Sequence, residues 1–126
     1  MPLTAKRVLC VGENKDTCEL ITTWLTLEGF EVVTAGDNAE AVERASRERF
    51  DLVVIDEPSR AVAALELCRT LRARAPSTLA LLISASHYEP TREQAMKAGA
   101  QELLVHDGDG GKLKEAVRRL IDFPAD

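Results

Sequence analysis

"DLVVIDEPSR" (Asp51–Arg60) joins an apolar run to an abrupt acid. Leu52, Val53, Val54 and Ile55 follow one another without polar alternation, the pattern of a strand covered on both faces. Such strands belong to parallel sheets with helices packed on either side. Asp56 ends the run and Glu57-Pro58 follow, so a carboxylate stands at the tip of a buried strand. Asp favours turns, and that alone would explain it. The alternative is a ligand position, because open parallel sheets bind ligands at the carboxyl ends of their strands.

Working outward, similar runs recur at regular intervals. Val8–Val11 predicts a first strand, broken by Gly12-Glu13-Asn14. Asn14 or Asp16 can cap the helix that follows, whose inward residues are Cys18, Ile21, Leu25 and Leu27 with Trp24 beside them, and Gly29 ends it. Phe30–Thr34 predicts the second strand, and Ala39–Arg47 a helix with Ala41, Val42 and Ala45 at helical spacing. Phe50–Ile55 is the third strand. Ala61–Arg74 follows as a helix facing inward through Leu65, Leu67, Cys68 and Leu71. Leu79–Ile83 predicts the fourth strand, closing on Ser84. Glu89–Ala98 is a short helix stopped by Gly99, Glu102–Val105 the fifth strand, Asp107–Gly111 a turn, and Lys112–Ile121 the last helix.

Five strand–helix alternations with short connections imply a doubly wound α/β fold, a five-stranded parallel sheet with helices on both faces. The residues to examine are those at the strand ends: Gly12 and Glu13, Asp56, Ser84 and His106.

The bulk properties agree with one domain. The chain has 126 residues, 45% hydrophobic and 29% charged, enough for a conventional core without metal or disulfide. Residues 7–121 are expected to form that core, with 122–126 a frayed tail or the start of a linker. A net charge of −5 argues against a nucleic-acid footprint. Lys112, Lys114, Arg118 and Arg119 cluster, but Glu115 and Asp122 interrupt them, the pattern of a solvated helix face. Cys10, Cys18 and Cys68 match no metal spacing and read as small buried residues in a reducing compartment. The first residues lack the apolar region of a signal peptide, and no run is long enough to span a bilayer. A cytoplasmic protein is expected.

The fragments "RVLCVGEN", "LEGFEVVTAGDNAEAVE", "FDLVVIDE", "LELCRTLR", "LALLISAS" and "AMKAGAQELL" carry a resemblance to the receiver domain of two-component response regulators, covering Arg7 to Ile121. The resemblance implies a flavodoxin-like fold in which Asp56 is the phospho-accepting aspartate and Ser84 the hydroxyl residue of the fourth strand. It makes Glu13 the second of two acids that help hold Mg²⁺. Elsewhere the chain departs from the family pattern. Gly12 replaces the first acid, His106 replaces the lysine of the fifth strand, and Asp107 the proline after it. Leu103 replaces the aromatic residue that reports phosphorylation. Pro58 lies two residues after Asp56 where the family has a proline four after, at Arg60.

The chemistry gives each departure a consequence. Phosphoryl transfer to a carboxylate needs charge neutralised around three equatorial oxygens, by Mg²⁺ and a fixed cation. Mg²⁺ prefers several hard oxygen ligands in near-octahedral geometry, and here only Glu13 and Asp56 offer carboxylates. His106 lacks the permanent charge of a lysine. The expected function is therefore a degenerate receiver that acts as a phosphorylation-independent or weakly phosphorylated protein-interaction module. It would be no enzyme beyond self-phosphorylation or dephosphorylation at Asp56. The expected partner is a histidine kinase or a downstream signalling protein. Its docking surface, by resemblance, is the fourth helix, fifth strand and fifth helix, including Arg92, Met96, Leu103, Lys112 and Arg119, and the same face would serve a homodimer. An alternative keeps Asp56 as a working acceptor with Mg²⁺. A third reading places a transition metal or small ligand among His87, His106, Glu13 and Asp56. No Gly-rich loop follows the first strand, which excludes a dinucleotide fingerprint.

Overall fold

A computed structural model of the protein describes residues 5–56, 61–84, 90–105 and 110–122. Five strands form one parallel sheet: β1 (Arg7–Val11), β2 (Glu31–Ala35), β3 (Leu52–Asp56), β4 (Leu79–Ser84) and β5 (Glu102–Val105). Their order is β2-β1-β3-β4-β5. Sequence order therefore reverses at β1, and the switch point falls between β1 and β3. The helices are α1 (Lys15–Leu27), α2 (Asn38–Arg47), α3 (Ala61–Arg74), α4 (Arg92–Ala98) and α5 (Gly110–Val117), the last continuing as a π-helical turn over Arg118–Asp122. This is the doubly wound parallel sheet expected from the strand–helix alternation.

The pleat explains why the central strands lack polar alternation. Successive strand residues point to opposite faces, and both faces of this sheet carry helices. Leu9, Val11, Val53, Ile55, Ala80 and Leu82 pack with Ala41, Ala45, Ala64, Leu67 and Leu71 from α2 and α3. Their neighbours Val8, Cys10, Leu52, Val54, Leu81 and Ile83 pack with Cys18, Ile21, Leu25, Leu113 and Val117 from α1 and α5. All five residues of β3 are buried. Fully burying a side chain of this size stabilises by about 1.5–3 kcal/mol, so the sheet interior dominates the stability of the fold.

Local chemistry sets the helix ends. The Asn14 side chain accepts a hydrogen bond from the Thr17 amide at 3.0 Å, choosing between the two expected caps. Asp37 caps α2 through the Glu40 amide at 2.8 Å. Thr91 and Gln94 form a reciprocal capping box, and Gly99 ends α4 at φ 114°, a conformation that favours glycine. The expected start at Glu89 lies outside the described residues; Thr91 is the cap and α4 begins at Arg92.

Three other expectations are corrected. Leu27 is 79% exposed: two residues beyond Leu25 is about 200° around the helix, away from the sheet. Phe30 lies outside β2, its ring buried against the α1 and α5 core. Gly110 and Gly111 begin α5 instead of forming a turn. Glycine is needed at 110 because a Cβ there would meet the Trp24 ring at 2.5 Å, so its absence lets α5 seat against α1.

Candidate functional site

The switch point brings the ends of β1 and β3 together. β1 pairs with β3 in the register Val8↔Leu52 and Cys10↔Val54, and the period of two carries that face on to Gly12 and Asp56. Gly12 continues the line of β1, its amide donating to the Ala35 carbonyl at 3.2 Å. Asp56 is only 1% exposed.

The space above Gly12 is closed. A Cβ at this position would stand 2.9 Å from Cys18 Sγ, 3.0 Å from the Asp56 carbonyl oxygen and 3.4 Å from Asp56 Cβ. The first distance is shorter than real Cβ contacts, and the second, to backbone, is tighter than nearly all of them. Position 12 is therefore more than an acid replaced by a smaller residue. Cys18 and the β3 backbone occupy the ground on which any side chain would start.

Cys18 is brought there by the first turn of α1. Its S–H donates to the Gly12 carbonyl at 3.7 Å, and the Cys10 S–H donates to Cys18 Sγ at 3.7 Å. That bond holds the Cys18 thiol below its ordinary value, against burial and the Asp56 charge, which act the other way. The same bond, with burial behind it, pushes the Cys10 thiol well above its ordinary value. The cluster at the end of β1 and β3 is thus two thiols, a glycine and one buried carboxylate.

Glu13 lies exposed in the loop after β1. Ser84 is buried at the end of β4, one residue beyond Ile83, the register partner of Asp56. His106, His87, Asp107 and Pro58 lie outside the described residues, as does Arg60, so the reading of a metal held by the two histidines is not placed. Among the described residues no three His, Cys, Asp or Glu side chains are grouped to hold a metal ion. The donors the resemblance assigns to Mg²⁺ reduce here to exposed Glu13 and buried Asp56. Two carboxylates in such different surroundings, with a thiol where the third ligand would start, do not fit the oxygen-rich shell that Mg²⁺ prefers.

Comparison with known proteins agrees with the fold. The family model for the response regulator receiver domain matches residues 8–118. The chain belongs to the response regulator receiver domain family. The transcriptional regulatory protein PrrA of Mycobacterium tuberculosis is 33% identical over 119 residues, 94% of this chain and 51% of PrrA. The alkaline phosphatase synthesis transcriptional regulatory protein PhoP of Bacillus subtilis is 27% identical over 92% of this chain and 48% of its own. The receiver domain thus spans about half the length of these curated relatives. Among solved structures, the response regulator TrrA of Thermotoga maritima, in complex with Mg²⁺–BeF, is 28% identical with a TM-score of 0.82, covering 92% of this chain and 99% of that one. A receiver domain protein from Methanospirillum hungatei shares the fold at a TM-score of 0.85 with 20% identity, covering 94% and 95%.

The receiver's expected docking residues are dispersed. Arg92 on α4 and Arg119 in the π-helical turn both reach Glu102 of β5, at 3.9 Å and 3.3 Å. Glu102 therefore ties three elements of one face together. Lys112 is exposed at the start of α5. Leu103 is half-buried and packs against the core on the α2 and α3 side. Met96 lines a cleft between α3 and α4 with Leu71 and Arg72. Sequence reasoning placed Cys18 in the core, as the structure does, but not beside Gly12, because a small apolar residue at helical spacing signals core and nothing else. No helix among the described residues is long and apolar enough to cross a membrane.

Proposed function

We propose that this receiver domain signals by docking a protein partner constitutively and not by accepting a phosphoryl group at Asp56. The observation that carries the reading is the crowded wall at position 12, where a Cβ would stand 2.9 Å from Cys18 Sγ and 3.0 Å from the Asp56 carbonyl oxygen, so no side chain fits without displacing them. Phosphoryl transfer depends on a metal that bridges and neutralises the transferred group's oxygens. Among the described residues at the strand ends, Glu13 and Asp56 are the carboxylates on offer to such a metal, and Asp56 is 1% exposed. Charge stabilisation of this kind is worth several kcal/mol of barrier, orders of magnitude in rate.

The docking face we propose is α4, β5 and α5, presented by Arg92, Lys112 and Arg119. Glu102 already engages both arginines, so an acidic partner, or a second copy, has to compete with an internal carboxylate. These ion pairs link α4, β5 and the turn after α5 without a phosphate, which suits constitutive docking. The partner is a downstream signalling protein, or a histidine kinase bound without transfer.

The test is incubation with Mg²⁺ and a small phosphodonor, followed by intact mass. The proposal expects no phosphoryl adduct. An adduct formed within minutes by the wild type and absent from Asp56→Asn would overturn it.

A further inference from the structure

Two thiols belong to the strand-end cluster, and the function proposed above gives neither of them a chemical role. Cys10 stands in β1 and is 0% exposed; Cys18 stands in the first turn of α1 and is 5% exposed. Their sulfurs are 3.7 Å apart. Cys68 belongs to the core on the other face of the sheet. We propose that Cys10 and Cys18 form an oxidisable pair, which a small peroxide converts to an intramolecular disulfide joining β1 to α1.

The geometry needs a modest adjustment. A disulfide brings its sulfurs to about 2.05 Å, and both sulfurs start on short side chains in direct contact. The roles divide between them. Cys18 is the attacking thiol: it lies nearer the surface, and the hydrogen bond it receives from Cys10 favours its thiolate. Cys10 stays protonated and resolves the intermediate.

The chemistry balances in two steps. The Cys18 thiolate attacks one peroxide oxygen, the O–O bond breaks, and hydroxide leaves to take up the proton Cys18 has released, giving water and a sulfenic acid. Cys10 sulfur then attacks Cys18 Sγ, its proton joins the departing hydroxide, and a second water leaves as the S–S bond forms. Two thiols and one peroxide become one disulfide and two waters. Closing the bond removes the Cys18 S–H from the Gly12 carbonyl and ties the first turn of α1 covalently to β1.

The experiment exposes the folded protein to hydrogen peroxide, quenches, and alkylates after unfolding. Cleavage after Lys15 separates the two cysteines. The proposal expects a mass loss of two hydrogens and a cross-linked pair of peptides carrying Cys10 and Cys18. It also expects Cys18 to be consumed at least about ten-fold faster than Cys68. Cys10→Ala should stop at a sulfenic acid on Cys18, formed more slowly than in the wild type because the hydrogen bond that favours the thiolate is gone, and trapped by a cyclic dione. Cys18→Ala should leave Cys10 a free thiol. The peptide map of the wild type decides even if either variant fails to fold. Free Cys10 and Cys18 after exposure, a disulfide to Cys68, or an intermolecular dimer would each refute the proposal.

Discussion

Gly12→Ala separates two accounts of position 12. If the site had only lost a carboxylate, a methyl group would be accepted there and would help. Replacing glycine at an ordinary φ stabilises by about 0.4–1 kcal/mol through the unfolded chain, and Gly12 is not among the positive-φ glycines, which among the described residues are Gly29 and Gly99. The packing predicts the opposite sign. The new Cβ meets Cys18 Sγ at 2.9 Å and the Asp56 carbonyl at 3.0 Å, and neither neighbour is the end of a long, yielding side chain. Forcing a methyl into a packed core costs about 1–3 kcal/mol. Overpacking wins, leaving Gly12→Ala destabilised by about 1–2 kcal/mol, or a drop in Tm of about 4 °C per kcal/mol in a domain of this size. Urea unfolding followed by Trp24 fluorescence measures it. In a Cys18→Ala background one of the two close contacts is gone, so the substitution should cost about 0.5–1 kcal/mol less. Gly12→Asp adds a second carboxylate beside Asp56 and should destabilise more than Gly12→Ala. A Gly12→Ala variant as stable as the wild type, or more so, would refute the crowded wall.

Other outcomes follow from the same packing. Gly110→Ala places a Cβ 2.5 Å from the Trp24 ring and should lose about 1–3 kcal/mol, with partial rescue by Trp24→Leu in the same melts. Glu102→Gln releases Arg92 and Arg119 together and should cost about 0.5–1 kcal/mol, a difference that shrinks in molar salt. Burial raises Cys68 from the ordinary 9.0 to about 11. A thiol raised on folding favours the native state fully below the unfolded value. That contribution falls as pH climbs from 9.0 towards 11, because the unfolded thiol ionises first. Urea midpoints should therefore decline over this window, and less steeply in Cys68→Ala.

The fold was legible because its signals are long and redundant. β3 reads as doubly buried from four apolar residues in a row, and the helices betray themselves by Ile21 and Leu25, or by Leu67, Cys68 and Leu71. Single positions were less readable. Leu27 looks like core in composition and is outward by angle. Gly110 looks like a turn residue and serves helix packing, a role set by Trp24 on a distant helix. The departure at Gly12 was visible as a missing acid. That its space is filled was not, since this depends on where the first turn of α1 sets Cys18 and on the backbone at Asp56. Strand-end chemistry is assembled from neighbours in space, and periodicity carries no record of which side chain leans over which glycine.

The central proposal is that Asp56 accepts no phosphoryl group. Its most direct test is an amide spectrum of the folded protein titrated with Mg²⁺ and beryllofluoride, followed at Gly12, Asp56 and Ser84. The account predicts no saturable shift at these amides at millimolar Mg²⁺. Saturable shifts at all three, abolished in Asp56→Asn, would contradict it.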